Sequence, residues 1–349
     1  MLGALRYVLA MMVAGSHLWS NLLWWHGAYA VFGFYLISGY LMSLVINEVY
    51  VSHHGLIRYA LNRFLRIYPI YLVVLFVSVG VALAAPELRD ESTGLGLLLR
   101  NVMRIPDSAA NWLANVTLVY PWRDQPLAVS QAWSLRVELV FYALMLVTVR
   151  RWWLAVAWLF CSALAVVNLE LSGATFMARY TSLIGASFAF SLGASVYYLR
   201  RRVTLARLHV PIASGLFFGH LVLAPELWGF PRTQVGFGWI IQPETYGLYG
   251  STVLVGYLLL AIVCNDTKAG VWHVYGKQLG DLAYAVFLLH WIAAALLMAL
   301  GIGFEEKAVF IPLVFILINL LAFALHRAVE KPLNDSLRRR IRGPSTWGV

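Results

Sequence analysis

The sequence predicts an all-α integral membrane protein with about ten transmembrane helices and no soluble domain. Of its 349 residues, 61% are apolar and only 12% are charged, whereas soluble chains have roughly 45–50% apolar and about 25% charged residues. The apolar residues also occur in runs of about 20, the length that a helix needs to cross a bilayer. The apolar surplus therefore faces lipid, and this composition excludes a disordered chain, a coiled coil and a nucleic-acid-binding module.

Ten runs have the length and composition of a membrane span. They lie near residues 4–23, 28–49, 64–85, 131–149, 152–170, 177–199, 208–226, 245–264, 282–301 and 307–327. The first run continues too far, and is followed too soon by the second, to resemble a cleaved leader, so we expect it to be retained. The segment from Asn111 to Trp122 is apolar but about half the needed length, so we expect it to be interfacial or re-entrant.

The basic residues predict that both termini are cytoplasmic. Lys and Arg in short loops resist translocation, and with the N-terminus inside, 18 of the 26 basic residues fall on the cytoplasmic side. The net charge of +10 is therefore mostly a topology signal rather than the mark of an anionic partner such as nucleic acid. We expect one transmembrane domain over residues 1–330 and a short basic cytoplasmic tail over 331–349.

The two cysteines, Cys161 and Cys264, lie in separate apolar runs without a second thiol or a histidine at ligand spacing. This arrangement predicts neither a disulfide framework nor a zinc site. No other metal site is predicted.

Ionisable side chains in the first and third spans are candidate functional residues, because charge inside a membrane is costly. Arg6 and His17 are eleven residues apart, about three helical turns, so they share one helix face. Arg63 and Arg66 are three residues apart at the cytoplasmic start of the third span, where a guanidinium fork suits phosphate oxygens. For this second pair, a pure topology signal remains the alternative.

The fourth and ninth spans contain further polar residues. Ser134, Glu138 and Tyr142 recur every four residues and so form one stripe on a helix. A carboxylate at that depth needs a cation or a proton, which favours a functional role for Glu138. His290 lies near the middle of the ninth span, where the alternative is a hydrogen-bonding packing residue.

The last span ends with Glu330, which has Arg327 as a neighbour three residues earlier. Residues at that spacing lie on the same side of a helix. Glu330 is therefore a further candidate functional residue, for which an ion pair with Arg327 is the structural alternative.

In their order and on this number of spans, these motifs resemble the acyltransferase-3 family of integral membrane acyltransferases, over nearly the whole chain. The matching features are Arg6 with His17, the stretch 33–40, Arg63 and Arg66 before Ile67-Tyr68-Pro69, Trp133-Ser134-Leu135 leading to Glu138 and Phe141-Tyr142, Tyr284 to His290, and Val329-Glu330-Lys331-Pro332.

The resemblance implies an O-acetyltransferase of the bacterial cytoplasmic (inner) membrane that modifies a surface polysaccharide, lipopolysaccharide or exopolysaccharide. The donor would be cytoplasmic acyl-CoA, most often acetyl-CoA, and the acceptor a hydroxyl of an extracytoplasmic or lipid-linked glycan. Arg6, Arg63 and Arg66 would hold the phosphates of the coenzyme, since a cytoplasmic arginine cluster suits that anion.

The resemblance also implies roles for the remaining polar residues. His17 would be catalytic, either as the base for the acceptor hydroxyl or as the carrier of the acyl group. Glu138 would orient or charge the acceptor site. The acceptor site would be lined by Ser134, Tyr142, Tyr284 and His290.

Two departures from the family pattern are visible. Tyr35 stands where many relatives have an aspartate, and the chain lacks the extracytoplasmic hydrolase-like domain that some relatives have after the last span. The chain would therefore complete the transfer alone or with a separate extracytoplasmic partner protein. The alternative function is a secondary transporter or flippase of a lipid-linked glycan precursor, because intramembrane His, Glu and Arg also mark substrate pathways.

Overall fold

The computed structural model describes residues 1–50, 55–89, 99–119, 126–227, 232–235, 238–241, 245–265, 271–303 and 307–333. The chain divides into two compact units. Unit 1 comprises Met1–Val51 and Val137–Ala283, and unit 2 comprises Ser52–Arg136 and Tyr284–Val349. Of the predicted tail, residues 334–349 lie outside the described part.

Helices make up most of the described chain, which confirms the all-α class apart from one short hairpin. The helices are α1 (Leu2–Leu18), α2 (Ser20–Glu48), α3 (Gly55–Ala84), α4 (Ala109–Thr117), α5 (Trp133–Thr148), α6 (Trp152–Leu171), α7 (Phe176–Tyr180), α8 (Leu183–Leu199), α9 (His209–Leu227), α10 (Thr245–Cys264), α11 (Val271–Ala299), α12 (Lys307–Leu325) and α13 (Lys331–Leu333). Strands β1 (Arg232–Val235) and β2 (Gly238–Ile241) form an antiparallel hairpin.

Each of the ten predicted spans overlaps a helix, and the run 177–199 is divided between α7 and α8. Among the described residues, six helices are long and apolar enough to cross a membrane: α2, α3, α6, α10, α11, and α12 continued to Leu333. The chain is therefore a multi-pass integral membrane protein, whereas the count of ten spans and the cytoplasmic termini stay predictions. The predicted first boundary differs from the structure, since α1 ends at Leu18 and a single non-helical residue, Trp19, separates it from α2.

Helix α2 lies at the centre of unit 1, where it packs on α1, α8 and α10. Its crossing with α8 depends on two glycines. A Cβ atom on Gly39 would lie 2.2 Å from the carbonyl oxygen of Phe190, and one on Gly193 would lie 1.9 Å from that of Leu36. The two backbones therefore touch directly, an approach that only small residues permit in membrane helices.

Close backbone contact at glycines also joins the start of α1 to the first part of α11 in unit 1. A Cβ atom on Gly3 would lie 2.0 Å from the carbonyl oxygen of Gly276, and one on Gly280 would lie 2.6 Å from Gly3 Cα. This close approach fixes the end of α1 that carries Arg6.

Unit 2 is organised around a fully buried amide on α4. The Asn115 side chain donates to the carbonyls of Asn111 at 2.9 Å and Pro126 at 2.8 Å, and it accepts from the backbone N–H of Ala128 at 2.9 Å. The backbone carbonyl of Asn115 accepts from the Tyr71 hydroxyl at 2.6 Å, which ties α4 to α3. The predicted interfacial segment is thus in part a nine-residue helix that anchors the chain before α5, and residues 120–122 of it lie outside the described part.

Helices α6 and α12 expose large apolar side chains along their length, including Phe160 and Leu164 on α6 and Leu320 and Phe323 on α12. Contiguous exposed apolar surface on this scale is typical of membrane-facing helices.

Candidate active site

The predicted stripe on α5 places a carboxylate between two hydroxyl donors in unit 1. Ser38 Oγ on α2 donates to Glu138 Oε1 at 3.1 Å, and Tyr142 Oη, one turn further along α5, donates to Oε2 at 2.7 Å. Glu138 is half-buried and Tyr142 is buried. Because each carboxylate oxygen has two lone pairs, Glu138 can accept a hydrogen bond from a further hydroxyl group.

Helices α2 and α8 hold the far end of α5 in place. The carbonyl of Val149, just after α5, accepts from Asn47 Nδ2 at 2.8 Å and from Tyr198 Oη at 2.6 Å. Asn47 belongs to α2 and Tyr198 to α8, so the glycine-mediated crossing of these two helices also positions the helix that carries Glu138.

An aromatic row extends through the same helices. The rings of Tyr35 and Phe190 stack at 5.1 Å, those of Phe190 and Phe141 at 4.4 Å, and those of Phe141 and Trp158 at 6.0 Å. Aromatic pairs have preferred ring geometries, which contribute stability beyond the burial of the rings. The row therefore fixes the rotation of α5 relative to α2, which brings Ser38 and Glu138 together.

Helix α1 carries both of its predicted residues in half-buried positions. Arg6 and His17 differ by about 20° around the helix, as the spacing predicts. His17 lies in the last turn of α1, next to the break at Trp19, rather than within a longer helix. The neighbouring Ser16 packs against Gly27 of α2, where a Cβ atom would lie 2.1 Å from Ser16 Oγ, so the end of α1 is held against α2.

In unit 2, Arg63 and Arg66 lie inside α3 rather than at its start, because the helix begins at Gly55. Tyr59 and Arg63, four residues apart, are both buried, and the Arg63 guanidinium lies over the Tyr59 ring at 5.9 Å. Arg66, one turn further on, is half-buried. Residues 55–63 extend the helix because their buried side chains share one face.

A second polar group in unit 2 joins the start of α5 to α11. Gln131 Nε2 donates to the carbonyls of Leu288 at 2.7 Å and Phe287 at 3.3 Å, and Ser134 Oγ donates to the carbonyl of Gln131 at 3.0 Å. His290 Nδ1 lies 2.8 Å from the carbonyl of Phe287. Since a carbonyl only accepts, Nδ1 carries the proton and Nε2 of a neutral imidazole is an acceptor.

Tyr284 also bonds to backbone. Its hydroxyl donates to the carbonyl of Ile67 on α3 at 3.1 Å, two residues before Pro69, which lies inside that helix. Both Ser134 and Tyr284 thus donate their hydroxyl protons to main-chain carbonyls.

The end of α12, where Glu330 lies, departs from a regular α-helix. Residues His326–Glu330 form a π-helical turn, and Glu330 Oε2 pairs with His326 Nδ1 at 2.9 Å. The structure thus gives Glu330 a partner four residues earlier, on the same side of the helix, and Arg327 is exposed.

A family model described as an acyltransferase domain, that of the acyltransferase-3 family, matches residues 2–327. The chain belongs to the acyltransferase-3 family. It is therefore a membrane acyltransferase, and the family resemblance of its motifs is confirmed. Neither a curated protein nor a solved structure matches it.

Some residues of this acyltransferase-3 site carry no clear signal in the sequence. Ser38 lies within the stretch 33–40 and Gln131 just before Trp133, but only the packing of distant helices shows that they bond to Glu138 and to α11. Glu170 and Arg179 form a buried ion pair. Its only sequence signal is an acidic residue at the end of the apolar run 152–170.

Proposed function

We propose that this chain transfers an acyl group, most often acetyl, from cytoplasmic acyl-CoA to a hydroxyl of an extracytoplasmic or lipid-linked glycan in a bacterial inner membrane. The observation that carries the proposal is the Glu138 carboxylate, held by hydroxyl donors from two helices inside an apolar bundle. A carboxylate in that setting is costly. Its remaining lone pairs suit a substrate hydroxyl, which is the group that an acyltransferase must orient.

The reaction requires one proton transfer to a base and one to the leaving group. The acceptor oxygen attacks the thioester carbon and loses its proton, the C–S bond breaks, and the coenzyme leaves as a thiol. His17 is the proposed base because a neutral imidazole has a ring nitrogen that can accept the proton of the acceptor hydroxyl. Glu138 orients the acceptor hydroxyl through the lone pairs that Ser38 and Tyr142 leave available.

The proposed donor site uses the three arginines. Arg6 lies on the same face of α1 as His17, and Arg63 and Arg66 lie one turn apart on α3. A guanidinium group binds two phosphate oxygens at once and remains positively charged. The diphosphate and 3′-phosphate of coenzyme A are the anions that this set is proposed to hold.

The residues proposed to contact the acceptor are Tyr142 in unit 1 and Ser134, Tyr284 and His290 in unit 2. A hydroxyl oxygen and a neutral imidazole nitrogen both accept hydrogen bonds, so Ser134, Tyr284 and His290 are of the chemical type that suits the O–H donors of a sugar. Each of these three side chains is positioned by a hydrogen bond to a backbone carbonyl.

The experiment is a transfer assay with purified protein, radiolabelled acetyl-CoA and crude envelope glycan. We expect label in the glycan, and we expect Glu138→Gln to reduce the rate by at least about 100-fold, the typical scale for a positioned catalytic group. A matched control is Glu48→Gln, which changes a carboxylate that pairs with Arg200 and Arg201 at the end of α2. If wild-type protein never labels glycan although acceptor is present, the proposal fails and the transporter alternative gains support.

A further inference from the structure

A cluster of arginines lies at one end of unit 1, outside the residues used for the proposed function. Its members belong to two short connections, one between α5 and α6 and one after α8: Arg150, Arg151, Arg200, Arg201 and Arg202. Four of them are exposed and Arg200 is half-buried. Their five positive charges and the one negative charge of Glu48, at the end of α2, leave a net charge of +4. We refer to these six residues as the arginine patch, which attracts anions to this end of unit 1.

Two contacts join the connections that form the arginine patch. The carbonyl of Val149 accepts from Tyr198 Oη at 2.6 Å, which places the turn between α5 and α6 beside the end of α8. The Arg202 guanidinium lies over the Trp152 ring at 5.1 Å. The arginines that follow α8 therefore lie against the first residue of α6.

Other contacts order the arginine side chains. Arg200 and Arg201 both donate to Glu48 Oε1, at 2.6 and 2.7 Å, and both guanidinium groups lie over the Tyr197 ring, at 4.9 and 5.2 Å. A topology signal requires the charge of an arginine but not a fixed conformation. Side chains that are already ordered lose less conformational entropy when they bind an anion. The order of the arginine patch therefore favours a binding site over a topology signal alone.

The arginine patch adjoins the start of α6, a helix long and apolar enough to cross a membrane. Its first two residues, Trp152 and Trp153, are 50% and 51% exposed, and tryptophans are enriched where a membrane meets water. Within the described residues, no side chain caps this end of α6, so the partial positive charge of the helix N-terminus adds to that of the arginines. An anion bound here lies at the level of the lipid headgroups.

An apolar ridge runs from the arginine patch along α6. It consists of four exposed side chains, each four residues after the last: Trp152, Val156, Phe160 and Leu164. Side chains at this spacing form one ridge inclined to the helix axis. Twelve residues of helix extend about 18 Å, and one leaflet of the hydrocarbon core is about 15 Å thick. The ridge therefore matches the length of a lipid acyl chain.

We propose that the arginine patch and the ridge on α6 bind an anionic phospholipid. Its phosphate lies between Arg151, Arg202 and the start of α6, since Arg200 and Arg201 are engaged with Glu48, and one acyl chain lies along the ridge. A zwitterionic phospholipid is disfavoured because its own cation is repelled by the patch. A soluble phosphate is disfavoured because it leaves the ridge uncovered.

The test is native mass spectrometry of the purified chain in a neutral detergent, with phosphatidylglycerol and phosphatidylcholine that carry the same acyl chains. We expect wild-type protein to bind phosphatidylglycerol more tightly. Arg151→Gln and Arg202→Gln should each weaken that binding about fivefold, the contribution of one arginine near an anionic lipid. Binding of phosphatidylcholine should stay unchanged in both variants.

The matched control is Arg207→Gln, which removes the same charge from an exposed residue of the connection between α8 and α9. Arg207 lies five residues beyond Arg202, and its replacement should change the binding of phosphatidylglycerol less than twofold. All three variants replace exposed side chains, so each should keep the wild-type Tm in neutral detergent. An equal loss of binding in Arg207→Gln would mean a general effect of surface charge and would overturn the proposed site.

Inorganic phosphate and free coenzyme A distinguish a lipid from a soluble anion. Each is added at the concentration of the lipid, and neither should displace bound phosphatidylglycerol, because neither contacts the ridge. Displacement by either anion, or equal binding of the two phospholipids by wild-type protein, overturns the proposal. None of these measurements depends on acyl transfer, so their outcome is independent of the proposed function.

Discussion

Replacing Gly193 with alanine tests whether direct backbone contact between α2 and α8 positions the candidate site. The new Cβ atom would lie 1.9 Å from the carbonyl oxygen of Leu36 and 2.9 Å from the backbone nitrogen of Tyr40. Ordinary contact begins at 3.4 Å, so the helices must separate by about 1.5 Å if the shift follows the line of contact. No flexible side chain is available to absorb the change, because both neighbours are backbone.

A shift of that size is large compared with the tolerance of the hydrogen bond between Ser38 and Glu138. Ser38, two residues after Leu36, donates to Glu138 at 3.1 Å, and a hydrogen bond is lost beyond about 3.5 Å. Overpacking of this kind costs about 1–3 kcal/mol. We therefore expect Gly193→Ala to lower Tm by several degrees and to lower the acyl-transfer rate.

The assay is thermal unfolding of the purified protein, followed by tryptophan fluorescence, together with transfer from radiolabelled acetyl-CoA. The matched control is Gly215→Ala on α9, where an added Cβ atom meets nothing within 4 Å and alanine favours a helix by up to about 1 kcal/mol. The control should keep or raise Tm. Wild-type Tm and activity in Gly193→Ala would refute the reasoning.

Three further predictions concern single side chains. Ser38→Ala and Tyr142→Phe each remove one donor to Glu138 and should lower the transfer rate. The increase in activation free energy in the double variant should be smaller than the sum of the two single increases, because both donors act through one carboxylate. Strictly additive increases in the double-mutant cycle would contradict this. Arg66→Ala should weaken acyl-CoA binding in calorimetry, and unchanged affinity would return Arg66 to a topology signal. Asn115→Ala removes three hydrogen bonds from a fully buried position and should destabilise the protein by about 2–4 kcal/mol, which a wild-type unfolding temperature would exclude.

The sequence predicts the helices well because membrane spans need long apolar runs, and that requirement is local. It predicts their ends less well. The break at Trp19 is a single non-helical residue between two apolar runs, which leaves no clear signal in the sequence. Helix α3 begins at Gly55, before its apolar run, because a polar, basic segment can continue a helix when one of its faces is buried. The hairpin of β1 and β2 lies between the predicted spans 208–226 and 245–264, where the sequence predicts no element, since two four-residue strands leave no periodic signal of useful length.

In the candidate site, too, contacts within one helix can be predicted from the sequence, whereas contacts between helices cannot. The pair of Glu138 and Tyr142 follows from four-residue spacing on one helix, and the structure joins them by a hydrogen bond. Ser38 cannot be predicted as their partner, because it depends on the crossing of α2 and α8 at Gly39 and Gly193. Contacts between distant segments are tertiary, and no local pattern in one sequence records them.

The most direct test of the central claim is sided acetyl transfer in proteoliposomes. Vesicles contain wild-type or His17→Ala protein, with radiolabelled acetyl-CoA on the side of the N-terminus and envelope glycan on the other side. The proposed function predicts labelled glycan with wild-type protein, no label with folded His17→Ala, and no label when acetyl-CoA is supplied only on the glycan side. Wild-type labelling by His17→Ala, or movement of unmodified glycan across the membrane without label, would contradict it.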